Sequence, residues 1–216
     1  MREYFLQQLK LLNDEIIMLG SAIEKAIGMA VEALIKKDSE KAKEVIAYDS
    51  TINQKQKNIE SLCLRLLLMQ QPVASDLRFI STALKMVTDM ERIGDHASDI
   101  SEIIILLANT DYEKNLETIK QMAVETIFMV NKSVESFVEK DTEKARMVIE
   151  YDDVVDKLFF REKENIISLI AANPKDGDQE TDLLMIAKYF ERIGDHATNI
   201  AEWSIYAATG DINVIQ

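Results

Sequence analysis

Two prolines and six glycines are all the conformational punctuation in this chain of 216 residues. A fold of many strands needs a turn every 8–12 residues or so, usually marked by such residues. This chain cannot supply them. Proline is barred from helix interiors, and each interior glycine costs a helix about 1 kcal/mol relative to alanine. Long helices are what such a sequence can form. No sustained alternation of apolar and polar residues occurs, so the chain reads as all-α.

The chain also repeats itself. Glu91 to Glu102 reads ERIGDHASDISE and Glu191 to Glu202 reads ERIGDHATNIAE. Upstream, Lys37 to Asp49 reads KDSEKAKEVIAYD and Lys140 to Asp152 reads KDTEKARMVIEYD. Two tandem repeats follow, residues 1–109 and 110–216. Asp38 or Ser39, and Asp141 or Thr142, are N-cap candidates after long periodic runs. Pro72 and Pro174 break the chain later in each repeat, and Asp111, after Asn109 and Thr110, opens the second. Six helices are predicted, near 3–37, 39–70, 73–109, 112–139, 142–172 and 179–208. Short connections make neighbours antiparallel, so the expected fold is two tandem antiparallel three-helix bundles related by the internal repeat.

A hydrophobic content of 47% suffices for a packed core. A formal charge of -13 argues against nucleic acid or an anionic membrane as partner and suits a chain that collects cations or meets basic surfaces. No run approaches a membrane span, and the N-terminus lacks a signal-peptide core. The expected location is the cytoplasm. The single cysteine, Cys63, lies in an apolar run and reads as a buried small hydrophobe.

The repeated blocks carry acids at helical spacing. Leu77, Ile80, Leu84 and Val87 form one stripe of the third helix, and Glu91, Asp95, Asp99 and Glu102 continue it. Phe79, Met86, Met90, Ile93, Ala97, Ile100 and Ile104 lie opposite. The sixth helix repeats this with Glu191, Asp195, Asn199 and Glu202. The preceding helices supply Asp49 with Asn53, and Asp152 with Asp156, at i and i+4. Asp49 and Asp95 each lie ~33 Å from the turn between their helices at 1.5 Å per residue, so antiparallel packing brings them level. Asp152 and Asp195 match in the same way. Clustered carboxylates repel one another, and a bound cation removes that cost. Oxygen donors of this kind suit magnesium, calcium, manganese or iron. The expectation is a multinuclear metal site in each repeat, against the common alternative that acid stripes merely face water.

His96 and His196 lie off the acid stripe and suit a supporting role, pairing with Asp99 and Asn199 at i+3. Gly94 and Gly194 suggest close approach of a neighbouring helix. Met86, Met90, Met122, Met129 and Met185 read as core or interhelix filler, not as a soft-metal box. There is no Glu-x-x-His pair of the di-iron bundles, no phosphate-binding glycine loop and no nucleophile–base pair. The chain is therefore not expected to be an enzyme. The competing possibility is a metal-dependent phosphate-ester hydrolase.

These features together resemble the PhoU family of phosphate-uptake regulators. The resemblance rests on the doubled ERIGDH block, on Asp76-Leu-Arg78, and on the E(D)xxxD pattern at Glu91/Asp95, Glu191/Asp195 and Asp152/Asp156. Asp49/Asn53 departs from it by an amide. The resemblance implies a negative regulator of the high-affinity phosphate transporter and of phosphate-starvation signalling. The implied partners are the transporter ATPase subunit, a phosphate-sensing histidine kinase and a second copy of the chain. The implied cofactors are divalent or multinuclear metal ions, iron or zinc first and magnesium, manganese or calcium after them. Contact with the membrane would run only through protein partners.

Overall fold

A computed structural model of the protein describes residues 2–69, 73–108, 110, 112 and 116–215. Among these, six helices form: α1 (Arg2–Lys36), α2 (Ser39–Met69), α3 (Ala74–Leu107), α4 (Glu117–Glu139), α5 (Thr142–Ala172) and α6 (Gly177–Thr209). No strand occurs among the described residues. Pro72, Asn109 and Asp111, which mark expected boundaries, lie outside them.

Two boundaries differ from expectation. Helix α4 begins at Glu117 rather than near residue 112. Tyr112 is instead a buried anchor whose hydroxyl donates to the Leu34 carbonyl at 2.8 Å, tying the connection to the end of α1. Pro174 opens a 3-10 turn, Pro174–Asp176, that leads directly into α6. A second 3-10 turn, Ile212–Val214, follows α6.

The duplication is visible in the backbone. Lys37 and Lys140, at equivalent places, both adopt left-handed φ values, 54° and 58°. Each ends the first helix of its repeat, and the next residue's N–H reaches back to a carbonyl of the last turn, Asp38 to Ala33 at 3.0 Å and Asp141 to Ser136 at 2.9 Å. This closes orphan carbonyls of the helix end. Asp38 and Asp141 then cap the following helices, accepting from the Lys41 and Lys144 amides at 3.0 Å. Of the two cap candidates in each repeat, the aspartate is the one used. Asp141→Ala is expected to cost about 1 kcal/mol of stability, read from a denaturant titration with unchanged slope.

Within the first repeat α1 packs on α2 and α3, and α2 on α3; α4, α5 and α6 do the same in the second. Two further contacts join the repeats, α1 with α4 and α3 with α6. The outer helices α2 and α5 therefore flank a central group of four. Phe79 stacks on Phe137 with ring centroids 4.7 Å apart, adding an aromatic contact between α3 and α4. Phe79, Met86, Met90, Ile93, Ala97, Ile100 and Ile104 are all buried, as the apolar face of α3 requires. Cys63 is buried too, and burial pushes its thiol up to about 12. Met185 departs from expectation: it is 42% exposed, whereas Met86, Met90, Met122 and Met129 are in the core.

Candidate metal centre

Helices α3 and α6 each turn an acid stripe toward an outer partner, α2 or α5. Close approach is what makes this possible. A β-carbon at Gly94 would stand 2.9 Å from Ile52 Cγ2 on α2, and one at Gly194 would stand 3.2 Å from Asp152 Oδ1 on α5. The glycines therefore do bring the paired helices together, and Gly194 leaves room for a carboxylate.

In the second repeat Asp152 shows the strain of this crowding. Burial first, and then Asp156, Asp195 and Glu191, push its carboxyl up to about 6, with Thr198 pulling the other way. Asp156 is raised by burial, by Glu191 and by Asp153, against the pull of Lys188. The four acids thus act on one another across α5 and α6, at the common height that their distances from the turn imply. Lys188 donates to both carboxylate oxygens of Glu191 at 2.5 Å, supplying one positive charge inside the cluster.

The first repeat is built alike with weaker acid character. Burial and then Asp95 raise Asp49, with Asp99 adding to it and Asn53 opposing. Burial and then Asp95 also raise Glu91, with Asp49 and Glu60 contributing and Arg92 opposing. Arg92 donates to Asp95 Oδ2 at 2.8 Å and lies 3.6 Å from Glu91. Asn53 donates its amide to Asp49 Oδ2 at 2.8 Å. That leaves Asp49 Oδ1 and Asn53 Oδ1 buried with no hydrogen-bond partner. Two orphaned oxygens facing a group of acids are an arrangement that a cation would satisfy.

The donor set therefore fits a hard cation in kind: carboxylates and an amide oxygen, crowded and partly desolvated. It is not a finished cage. Among the described residues no three acid, histidine or cysteine side chains close around one point at ligand distances. The acids stand as two facing walls whose side chains must turn inward to share an ion.

The histidines lie where the repeats meet. Their rings are 5.5 Å apart at the crossing of α3 and α6. His96 Nδ1 pairs with Asp99 Oδ2 at 3.2 Å, the expected i+3 partner. His196 does not pair with Asn199. Its Nδ1 lies 2.9 Å from Asp89 Oδ1 of the first repeat, and the Asn199 amide donates to that same oxygen at 3.1 Å. The residue equivalent to Asp89 is Tyr189, whose ring lies 5.3 Å from His96. A pseudo-symmetric seam thus holds two different locks. Burial, the neighbouring His196 and Arg192 depress His96 against the pull of Asp99. Asp89→Ala is expected to cost about 1–3 kcal/mol, because it strips partners from two part-buried groups. Chemical denaturation would measure this, and the loss should vanish when His196 and Asn199 are also replaced.

Sequence reading missed Glu60, Asp89, Lys188 and Tyr189. Glu60 was within reach of it: Asp49, Asn53, Gln56 and Glu60 form one helical stripe, and Gln56 donates to Glu60 at 3.0 Å. Asp89 and Tyr189 carry no such signal, since their partners lie more than a hundred residues away or in the opposite repeat.

Comparison with known proteins bears on this arrangement. The PhoU domain family matches residues 16–104 and again residues 119–204. The phosphate-specific transport system accessory protein PhoU homolog of Clostridium acetobutylicum is 39% identical over 210 residues, covering 97% of this chain and 96% of that protein. The crystal structure of PhoU from Pseudomonas aeruginosa superposes with a TM-score of 0.91 at 33% identity, covering 96% of this chain and 100% of that one. That of the phosphate transport system regulatory protein PhoU from Streptococcus pneumoniae gives 0.88 at 30% identity, covering 96% and 98%.

Proposed function

The chain belongs to the PhoU family, and from that membership we propose that it is an accessory regulator of phosphate uptake that works by binding cations and partner proteins rather than by catalysis. Its relatives are named as accessory proteins of the phosphate-specific transport system, and the likeness runs along nearly the whole chain. Among the described residues no helix is long and apolar enough to cross a membrane. The reading is of a cytoplasmic dimer that reaches the membrane only through the transporter, dampening uptake and starvation signalling by linking the transporter ATPase subunit to a phosphate-sensing histidine kinase.

The observation that carries the cation part is the pair of acid walls, one in each repeat, with Asp49, Glu91, Asp152 and Asp156 all raised from their ordinary values by burial and then by neighbouring acids. Such groups gain from a bound divalent ion, which removes mutual repulsion. In the first site Asp49, Asn53, Glu91, Asp95 and Asp99 would hold it. In the second these would be Asp152, Asp156, Glu191 and Asp195, with Asn199 available only if it leaves Asp89. Iron or zinc, and after them magnesium, manganese or calcium, are the ions to test.

The cation reading and the regulatory reading are tested by separate measurements. Elemental analysis of purified protein should find metal that is lost in the Asp95→Ala, Asp195→Ala double variant; equal content in both would remove the cation reading. Deletion in cells should derepress phosphate-starvation genes in replete medium. Unchanged expression, or failure to co-purify the transporter ATPase or kinase, would remove the regulatory reading. Chelator-sensitive turnover of a generic phosphate ester would replace it with the hydrolase.

A further inference from the structure

The second repeat buries an acid where the first buries an isoleucine. Counted on from the matched segments at 37–49 and 140–152, Glu162 of α5 stands at the place of Ile59 of α2. Both side chains are fully buried, at 0% exposure. Leu158 and Ile166, one turn before and one turn after Glu162, belong to the core. Counted back from the two ERIGDH blocks, Glu180 of α6 stands at the place of Ile80, and both of these are buried as well. The end of the second repeat nearest Pro174 thus carries two buried carboxyls where the first repeat has aliphatic core.

A carboxyl at the place of an isoleucine needs partners, and Glu162 lacks them. Among the described residues neither Oε1 nor Oε2 has a hydrogen-bond partner. Arg161, next to it in the chain, is engaged elsewhere. Its Nη2 donates to Gln121 Oε1 at 3.1 Å and lies 3.5 Å from the Thr118 hydroxyl, both on α4. Burial pushes the Glu162 carboxyl up, and Thr118, Asn165 and Arg161 pull the other way without cancelling it. Glu117 and Lys120 of α4, and Glu180, Asp182 and Lys188 of α6, are not among the groups that shift it. An ionised carboxylate without partners in an apolar interior costs far more than the neutral acid does.

We propose that Glu162 makes the packing of α5 on α4 and α6 at the Pro174 end depend on a proton: with the carboxyl protonated the three helices stay closed, and with it ionised α5 loosens there while the first repeat, which has Ile59, stays shut. A glutamate raised in the folded state keeps its proton longer there than in the unfolded chain. The stability it permits is complete below 4.5, the ordinary glutamate value, and is lost as pH rises through the folded value. Local opening of this kind is drawn from the least stable part of a fold. Glu162 lies ten residues from Asp152, ~15 Å along α5, so the device stands apart from the acid walls and does not rest on the cation reading.

Urea titrations of the full-length protein, kept metal-free in excess chelator, are run from about pH 4 to 8. Wild type is compared with Glu162→Gln, which keeps the shape and removes the charge, and with Glu162→Ile, which restores the residue of the first repeat. Above 4.5 the folding constant of Glu162→Gln should pull ahead of wild type by about tenfold per pH unit until the folded carboxyl is ionised. Glu162→Ile should show the same widening from a higher start. Adding Asp152→Asn to wild type and variant alike should leave the gap unchanged, since sites this far apart contribute independently. Native-state hydrogen exchange at the upper end of the pH range then locates the effect. Amides of residues 162–172 of α5 should exchange about tenfold or more faster in wild type than in Glu162→Gln at the same pH, with those of α2 unchanged. A gap between wild type and Glu162→Gln that stays constant with pH, or an exchange difference spread equally over α2 and α5, would overturn the proposal.

Discussion

Asp152→Asn is expected to stabilise the metal-free protein at neutral pH and, in the same variant, to weaken cation binding in the second repeat. Burial, and after it the neighbouring Asp156, Asp195 and Glu191, hold the Asp152 carboxyl up to about 6 against 3.8 for an ordinary aspartate. A carboxyl raised in the folded state keeps its proton longer there than in the unfolded chain. Below pH 3.8 both states are protonated and the group costs nothing. Between 3.8 and 6 the unfolded chain releases its proton first, so stability falls as pH rises. Above 6 the cost is complete, and the separation of the two values sets it at about 2–3 kcal/mol. Asparagine keeps the shape and removes the charge. Thermal melts of metal-free protein should show the wild type losing stability from about pH 4 to 6 and the variant losing much less. Adding metal at neutral pH should then raise the wild-type melting temperature more than that of the variant, because a ligand stabilises in proportion to its occupancy. A flat wild-type profile in this window would show that Asp152 is not held in a buried, acid-rich position. Equal gains from metal in both proteins would show that it is not a ligand.

Gly94→Ala and Gly28→Ala make the same substitution in two helix interiors and are expected to differ in sign. Nothing lies within 4 Å of a β-carbon built at Gly28, which is exposed on α1. There alanine gains about 1 kcal/mol, from helix propensity and a less flexible unfolded chain. At Gly94 the new carbon meets Ile52 Cγ2 at 2.9 Å and Cδ1 at 3.0 Å. Ile52 is fully buried and cannot withdraw, so α2 and α3 must move apart. The overpacking cost is about 1–3 kcal/mol, more than the propensity gain. Denaturant midpoints should therefore shift up for one variant and down for the other. Separation of α2 from α3 also pulls Asp49 away from Glu91 and Asp95, so Gly94→Ala should reduce cation binding in the first repeat while leaving the second intact. If both substitutions stabilise, the helices are not in contact where the structure puts them.

The two repeats differ in donor chemistry. The first offers Asp49 with an amide, Asn53, whose own donor is already engaged by Asp49. The second offers Asp152 with a second carboxylate, Asp156, at the cost of stronger mutual repulsion. Titration with one divalent ion should fill the second site first, and Asn53→Asp should bring the affinities together. Calorimetry resolves the two steps.

How much of this the sequence determined can be judged residue by residue. Scarce proline and glycine dictated long helices, because no other regular structure tolerates so few turns. The repeated segments located the second bundle. The 3.6-residue period put Asp95 one turn from Glu91, Asn53 one turn from Asp49 and Asp156 one turn from Asp152. Equal distances from each turn brought the facing acids level, and the recurrent glycines announced the close approach. All of these are consequences of helix geometry, which is the same wherever a helix occurs. The tertiary structure alone decided the rest. His196 and Asn199 turned to Asp89, not to each other, since partners across a seam depend on how two helices cross and on which rotamers fit there. Lys188 reached Glu191 within one helix, but only packing made it the positive charge of an acid cluster. Local periodicity fixes which face a residue is on; only the assembled fold determines what that face meets.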